Sequence, residues 1–476
     1  MCNDIIKQLA LVKFQLTFCI KSKGGEKMVI IHDLTLGNET KVMLKLAVPM
    51  IVGNLFQQLY NVADTIIVGR FIGSNALAAV GSSFSIMVLL NSIILGFCMG
   101  SSTVFSILYG AKENDKLKNS FFISFFLIGL LTLAINFFAL FFIDEILFLL
   151  RIPQEVLIDT NTYLQIIFYG IIFTSAYNYF AAIMRSMGNT MIPLIFLIIS
   201  AISNIILDIV FIVPFNMGVG GAAYATIIAQ GISSVGLAVY CIRKVPVIRL
   251  KRKHLQINMD IIKMIGNNSM LSSIQQSVMN LGILMIQGLI NSFGVSVMAA
   301  FAAVVKIESF AYLPEQEFGN AFSTFIAQNH GAKEHERIRN GIRSAIKIIT
   351  IYGVAVSALV ILLAKPLMGI FINPNETEII QIGTQYLFIV ASFYCLIGYL
   401  FMFYGLFRGM GKPEVSIILT VISLGTRVIL AYTLSSVSSI GLIGIWWAIP
   451  IGWALADIVG FYKIKIDEQL KIKIAL

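Results

Sequence analysis

Charge is scarce in this chain. Only 12% of its 476 residues are charged and 58% are hydrophobic, with a mean hydropathy of +0.88, whereas roughly a quarter of a typical globular protein is charged. A bilayer core about 30 Å thick is crossed by about 20 apolar helical residues, and runs of that length recur from Val42 to Tyr462. A soluble fold has nowhere to bury them, so that class is excluded. Cysteine is equally uninformative as chemistry. The five (Cys2, Cys19, Cys98, Cys241, Cys395) form no CxxC pair, and three lie in apolar runs, where cysteine acts as a small hydrophobe. No HExxH motif exists, so no structural or catalytic metal centre is expected. A phosphate-binding loop is also missing, because Gly411-Lys412 is followed by Pro413 and not by Ser or Thr. Without that loop or a soluble domain to carry it, nucleotide hydrolysis is excluded as an energy source, and no cofactor is expected. The net charge of +10 does not imply nucleic acid, since the basic residues cluster in alternate gaps between apolar runs instead of along one stripe.

The apolar pattern predicts an all-α membrane protein with twelve transmembrane helices. Six fall near 42–70, 76–108, 117–142, 160–187, 190–213 and 219–243. Six more fall near 261–291, 296–329, 336–363, 379–408, 413–434 and 440–464. If the N-terminus and every second gap face the cytoplasm, that side holds 29 of the 34 Lys and Arg residues. The opposite side then holds only Arg70, Arg151 and Lys365, while Lys306 and Arg427 fall inside spans. Such asymmetry is the positive-inside signal, and it puts both termini in the cytoplasm of a plasma membrane. The chain also repeats itself. Tyr109-Gly-Ala-Lys-Glu113 matches His330-Gly-Ala-Lys-Glu334, Arg185-Ser-Met-Gly188 matches Arg408-Gly-Met-Gly411, and Gln57-Gln58 falls near Gln275-Gln276, all about 220 residues apart. This predicts an N-terminal tail (1–41), an N-lobe of helices 1–6 (42–243), a basic linker (244–260), a C-lobe of helices 7–12 (261–464) and a C-terminal tail (465–476), the lobes being parallel repeats about the membrane normal. Lys23-Gly-Gly-Glu-Lys27 before Met28 resembles a translated ribosome-binding stretch, so translation is expected to begin at Met28.

An ionisable group in hydrocarbon costs about 2.5–3.5 kcal/mol on insertion scales, so acids well inside spans need a reason. In the first span Gln57, Tyr60, Asn61 and Asp64 fall at i, i+3, i+4 and i+7, one polar stripe on an apolar helix. In the fifth, Asn204 and Asp208 share a face, and Thr226 in the sixth adds a hydroxyl. Two carboxylates, an amide oxygen and a hydroxyl form a hard-oxygen set suited to H⁺ or Na⁺. The competing reading is a hydrogen-bond network that only holds helices together. The eighth span carries Glu308, Glu315 and Glu317, the last two flanking Pro314, and with Gln275 of the seventh span these form a possible C-lobe polar site. Pairing of the glutamates with Lys306 or Arg427 is the plainer alternative. Asp457 is expected to reach the headgroups from the end of the twelfth span. Tyr60, Tyr163, Tyr177 and Met184, with Gln57, Asn61 and Asn178, are candidates to line a chamber that takes flat organic cations by stacking and cation–π contact.

These segments together resemble the multidrug and toxic compound extrusion (MATE) family, in its bacterial DinF-like branch. The resemblance runs from residue 30 to about 465 and is carried by Pro49-Met-Ile-Val-Gly-Asn-Leu-Phe-Gln-Gln-Leu-Tyr-Asn-Val-Ala-Asp64, Thr65-Ile-Ile-Val-Gly-Arg70, Arg185-Ser-Met-Gly188 and Ser203-Asn-Ile-Ile-Leu-Asp208. It implies two pseudo-symmetric six-helix lobes around a V-shaped opening, and antiport of drugs or other organic cations against H⁺ or Na⁺ by a monomer in the bilayer. It maps the N-lobe cation site onto Asp64, Asn204, Asp208 and Thr226. Other branches carry an acid in the seventh helix; here Ser272, Ser273, Gln275 and Gln276 stand there, so no C-lobe site of that kind is expected. The alternative is a lipid-linked oligosaccharide flippase of the same superfamily, which should have a more cationic central cavity than Lys306 and Arg427 alone provide. A non-transporting receptor gives no reason for buried acids in two helices.

Overall fold

The computed structural model describes residues 33–149, 152–437 and 439–467. The expected start at Met28, most of the N-terminal tail and the end of the C-terminal tail lie outside the described residues. Among the described residues, twelve long helical segments, one of them a bent pair, follow one another in two sets of six. The N-lobe contains α1 (Glu39–Phe71), α2 (Ser74–Gly110), α3 (Asn114–Phe141), the short α4 (Ile143–Leu149), α5 (Gln154–Ser186), α6 (Met191–Ile212) and α7 (Gly218–Lys244). The C-lobe contains α8 (Met259–Asn291), α9 (Val295–Gly331), α10 (His335–Leu362), the short α11 (Ala364–Phe371), α12 (Thr377–Ala391), α13 (Tyr394–Gly409), α14 (Pro413–Ser435) and α15 (Leu442–Ile466). Large apolar side chains are exposed along the outer faces, Phe126, Phe141 and Ile158 among them. That inversion of soluble packing is what a lipid solvent requires.

Ten of these helices are individually long and apolar enough to cross a membrane, and the bent pair α12–α13 makes an eleventh. Two features depart from the expected spans. First, the tenth was expected as one helix over 379–408 but bends by 54° between α12 and α13. Ser392 Oγ at the break donates back to the Phe388 carbonyl at 2.7 Å, a side-chain bond that competes with the helical ladder and favours bending. Second, α8 is less apolar than the rest because Asn267, Asn268, Ser269, Ser272, Ser273, Gln275 and Gln276 crowd its length. Much of that polar face is buried against α2, the N-lobe helix it packs along.

The two halves pack alike. In the N-lobe α2 packs on α5, α6 on α7, α1 on α6 and α5 on α7; in the C-lobe the matching pairs are α9 with α13, α14 with α15, α8 with α14 and α13 with α15. The repeated motifs adopt the same turns, with Lys112 at φ 58 and Lys333 at φ 62, and Gly188 at φ 78 and Gly411 at φ 70. The lobes meet along α1, α2, α8 and α9, and the meeting depends on glycine. A side chain at Gly110 would strike the Gln328 carbonyl, and one at its repeat partner Gly331 would strike the Ile107 carbonyl. Gly96 and Gly100 lie as tightly against Ser273 and Ser269 of α8.

The end of the molecule where α2 and α9 finish is tied further by polar bonds. Gln328 Nε2 donates to the Ser186 carbonyl at 2.6 Å, joining the lobes. The segment before α1 docks on the C-lobe: Leu34 N donates to Gln328 Oε1 at 3.0 Å, and Arg337 donates to the Gly37 carbonyl at 2.8 Å and the Leu34 carbonyl at 3.2 Å. The linker lies on the N-terminal end of α3, where Asp115 pairs with Lys253 at 2.7 Å and with His254 at 3.0 Å. Replacing Gly110 by leucine should force the lobes apart at this end. A lone cysteine at the buried Ser186 position should then gain maleimide reactivity at least severalfold over the Gly110 background, and unchanged labelling would show that the end is not closed by this contact.

Candidate functional site

The polar stripe of α1 points its C-terminal half at α6 and α7. There Asp64, Asn204, Asp208 and Thr226 come together inside the N-lobe. Asp208 is fully buried, and Asn204 and Thr226 are nearly so at 2% and 8% exposure. The Asp64 and Asp208 carboxyls act directly on one another, and Tyr60 and Tyr163 lie within electrostatic reach of both. Asn204 Nδ2 donates to Thr226 Oγ1 at 3.3 Å, and that hydroxyl passes its own proton to the Ala222 carbonyl at 3.0 Å. Those two bonds turn the Thr226 proton and one Asn204 N–H away from the carboxylates. Asp64 Oδ1, both Asp208 oxygens and Asn204 Oδ1 are buried with no hydrogen-bond partner among the described residues. A buried acceptor left unsatisfied costs about 1–3 kcal/mol, more when charged, so this arrangement suits a bound cation or proton. Among the described residues no group of three or more His, Cys, Asp or Glu side chains is placed to hold a metal ion. Any Na⁺ here would therefore rest on two carboxylates, an amide oxygen and a hydroxyl, as transported cargo.

A separate cavity of about 200 Å³ lies between the lobes. It is walled by α1 (Met50, Asn54), α2 (Leu95 to Ser106), α5 (Asn178, Ala182, Arg185), α8 (Gln276), α9 (Gln316, Glu317, Asn320, Ser323, Thr324) and α13 (Arg408). Asn54 Nδ2 donates across the lobe boundary to Glu317 Oε1 at 3.1 Å. Of the residues the sequence suggested for a substrate chamber, Asn178 lines this cavity. Tyr60 and Tyr163 belong to the acid cluster instead, and Gln57 is exposed on α1 near Asn61. Tyr177 donates to the Pro193 carbonyl at 2.9 Å, and Met184 is fully buried.

The three glutamates of α9 do not form one site. Helical spacing puts Glu308 and Glu315 on one face and Glu317 on another, and only Glu317 reaches the cavity. Glu308 accepts from Tyr386 at 2.9 Å and lies near Arg427, the plainer alternative, while Lys306 is exposed. Glu315 is 3% exposed, its oxygens are unpartnered, and Gly398 of α13 gives it room. α9 continues unbroken through Pro314. Gln275 is buried while its neighbour Gln276 faces the cavity. Asp457 does not reach the headgroups: it is 3% exposed, because α15 runs on to Ile466 and keeps it more than two turns inside, beside Tyr404. Sequence reasoning missed Arg185, Arg408, Asn54 and Asn320 as cavity groups. The signal was present, since both arginines head the repeated motif, but span ends were read only for orientation.

Comparison with known proteins gives these sites a family. The family model MatE matches residues 49–210 and 269–433. The probable multidrug resistance protein YpnP of Bacillus subtilis is 30% identical over 82% of this chain and 87% of its own. A MOP-superfamily transporter from Pyrococcus furiosus, described as having a binding pocket of reverse polarity that suggests a different function, superposes with a TM-score of 0.87 at 26% identity. That match covers 94% of this chain and all of the other. An outward-facing multidrug resistance MATE transporter superposes equally well, with a TM-score of 0.87, 26% identity and the same coverage. Two separate stretches of family match, one in each lobe, together with the repeated helical packing, place this chain in the multidrug and toxic compound extrusion family of membrane transporters.

Proposed function

We propose that the protein is a cation-coupled antiporter that exports drug-like organic molecules across the bacterial plasma membrane, exchanging them for H⁺ or Na⁺ bound at Asp64 and Asp208. The observation that carries this reading is the set of four buried oxygens with no hydrogen-bond partner among the described residues, three of them on two carboxyls that act on one another. A network built only to hold helices together would satisfy its members, since half-satisfied buried networks are costly. A site that loads and unloads a cation must leave them open.

In the proposed cycle, a proton or Na⁺ entering from outside neutralises the acid pair and lets α1, α6 and α7 close on it. Release of the ion to the cytoplasm restores the mutual repulsion of the carboxylates and moves α1. Because α1 also carries Asn54 at the inter-lobe cavity, its movement on ion binding changes the cavity and displaces the substrate outward, and its return on ion release resets the cavity for the next substrate. One charge moving down 100 mV contributes ~2.3 kcal/mol, which supports a concentration ratio of roughly fifty.

Asp64→Asn and Asp208→Asn should each abolish dye efflux from energised cells while leaving the amount of folded protein in the membrane unchanged. Everted vesicles with separately imposed pH and Na⁺ gradients identify the ion, and uptake that responds to neither gradient would end the antiport reading. The same isosteres separate a coupling role from a structural one. Replacing an unpartnered buried carboxylate by an amide removes charge and adds two donors beside Asp64. Asp208→Asn should thus raise the melting temperature in detergent by a few degrees, on the order of the 1–3 kcal/mol held by an unsatisfied polar group. A marked fall would show a structural network.

A further inference from the structure

The charged groups facing the inter-lobe cavity are Arg185, Arg408 and Glu317. Two of them are mutually accounted for. Arg408, 5% exposed, donates through Nε to Ser323 Oγ at 3.2 Å and through Nη2 to Asn320 Oδ1 at 2.9 Å, and it lies within electrostatic reach of Glu317. Glu317 in turn accepts from Asn54. Arg185 has no such partner. Its guanidinium lines the cavity beside Cys98 and near Tyr177, and it makes no hydrogen bond or ion pair among the described residues. The side chains lining the cavity therefore carry one net positive charge, with Arg185 unpaired by any side chain among the described residues. A planar guanidinium fork matches a carboxylate or phosphate through two parallel bonds, while Met50, Leu95 and Met99 on the α1 and α2 walls offer an apolar surface suited to a flexible organic body.

We propose that Arg185 is the recognition group for an anionic head, and that the substrate is an amphiphile with a single carboxylate, sulfonate or phosphate. This rests on the transporter reading above and narrows its substrate class. It also departs from the organic cation expected by family resemblance, because a permanent cation would sit beside an unbalanced guanidinium. The sequence hid this charge by placing Arg185 at a helix end, where it counted as an orientation signal.

Equilibrium binding to the full chain in detergent tests the idea without any gradient. The probes share one aromatic body: pyrenebutyrate, the corresponding trimethylammonium and the neutral alcohol. Wild-type protein should bind the carboxylate at least roughly tenfold more tightly than the ammonium, as expected for one charged hydrogen-bonded pair. Arg185→Gln should erase that preference, Arg185→Lys should retain part of it, and Glu317→Gln should tighten carboxylate binding by releasing Arg408. Tighter binding of the ammonium by wild type, or unchanged selectivity in Arg185→Gln, overturns the proposal. Asp208→Asn should keep the carboxylate preference, so loss of coupling and loss of head-group recognition are distinguishable. Displacement of the probe by a single-chain phosphate lipid but not by decanoate assigns the head to a lipid, and the reverse assigns it to a soluble organic acid.

Discussion

Unsatisfied oxygen inside hydrocarbon is the constraint on which this structure turns. A membrane bundle has no water in its core to complete a hydrogen bond, so every acceptor left open there has to be matched by something that is not part of the chain. At the N-lobe site the imbalance is built in by direction. Asn204 directs an N–H at Thr226, Thr226 spends its proton on Ala222, and the two acids have none to give when ionised. Thr226 bonds to a carbonyl one turn back just as Thr132 does to Ile128 and Thr160 to Val156, so the imbalance lies in the carboxylates and the amide oxygen. Those open oxygens are why the acid cluster is the proposed place of exchangeable occupancy.

α1 joins that cluster to the cavity. Asn54 touches Glu317 of the opposite lobe, and Asp64 reaches the acid pair. The two are ten residues apart, about 15 Å along a helix. At its start the same helix is held to the C-lobe through Thr40 and Ser344 at 2.5 Å, and through the docked segment that precedes it. Its middle packs on α6, where Gly53 lets Leu194 and Leu197 approach closely. A rigid element anchored in both lobes and carrying a group from each site is the kind of connection that coupling between separate sites requires.

Much of this was legible in the sequence, because lipid imposes a simple pattern. Helix number and approximate limits follow from apolar length, and the acid cluster follows from residues spaced along one face of each of two helices. What the sequence obscured depended on facing partners. The break at Ser392 is a single side-chain bond within an apolar run. Glu315 and Glu317 are two residues apart in sequence yet serve different surroundings, since successive helical positions diverge by about 100°. Arg185 and Arg408 look like topology signals because they stand at helix ends, and only the convergence of those ends on one cavity gives them another meaning.

The internal repeat separates what is mechanical from what is chemical. Gly110 and Gly331, Lys112 and Lys333, and Gly188 and Gly411 are duplicated in type and in backbone conformation or packing. All of them sit where the lobes meet or where helices turn at that end, and two lobes that rock against each other need matching contact surfaces. The residues of the acid cluster are not duplicated. The positions about 220 residues beyond Asp64 and Asp208 are the apolar run Gly282-Ile283-Leu284-Met285 and Ala431, while the C-lobe's own acids, the half-buried Glu308 and the buried Glu315 and Asp457, occupy unrelated places. Arg185 and Arg408 are intermediate: the type is duplicated, and the one cavity carboxylate, Glu317, lies within electrostatic reach of Arg408. Symmetry thus persists in the hinge surfaces, is lost entirely at the acid cluster, and is broken by a single carboxylate at the cavity. That one asymmetry leaves a lone positive charge at the point where both lobes could reach a substrate.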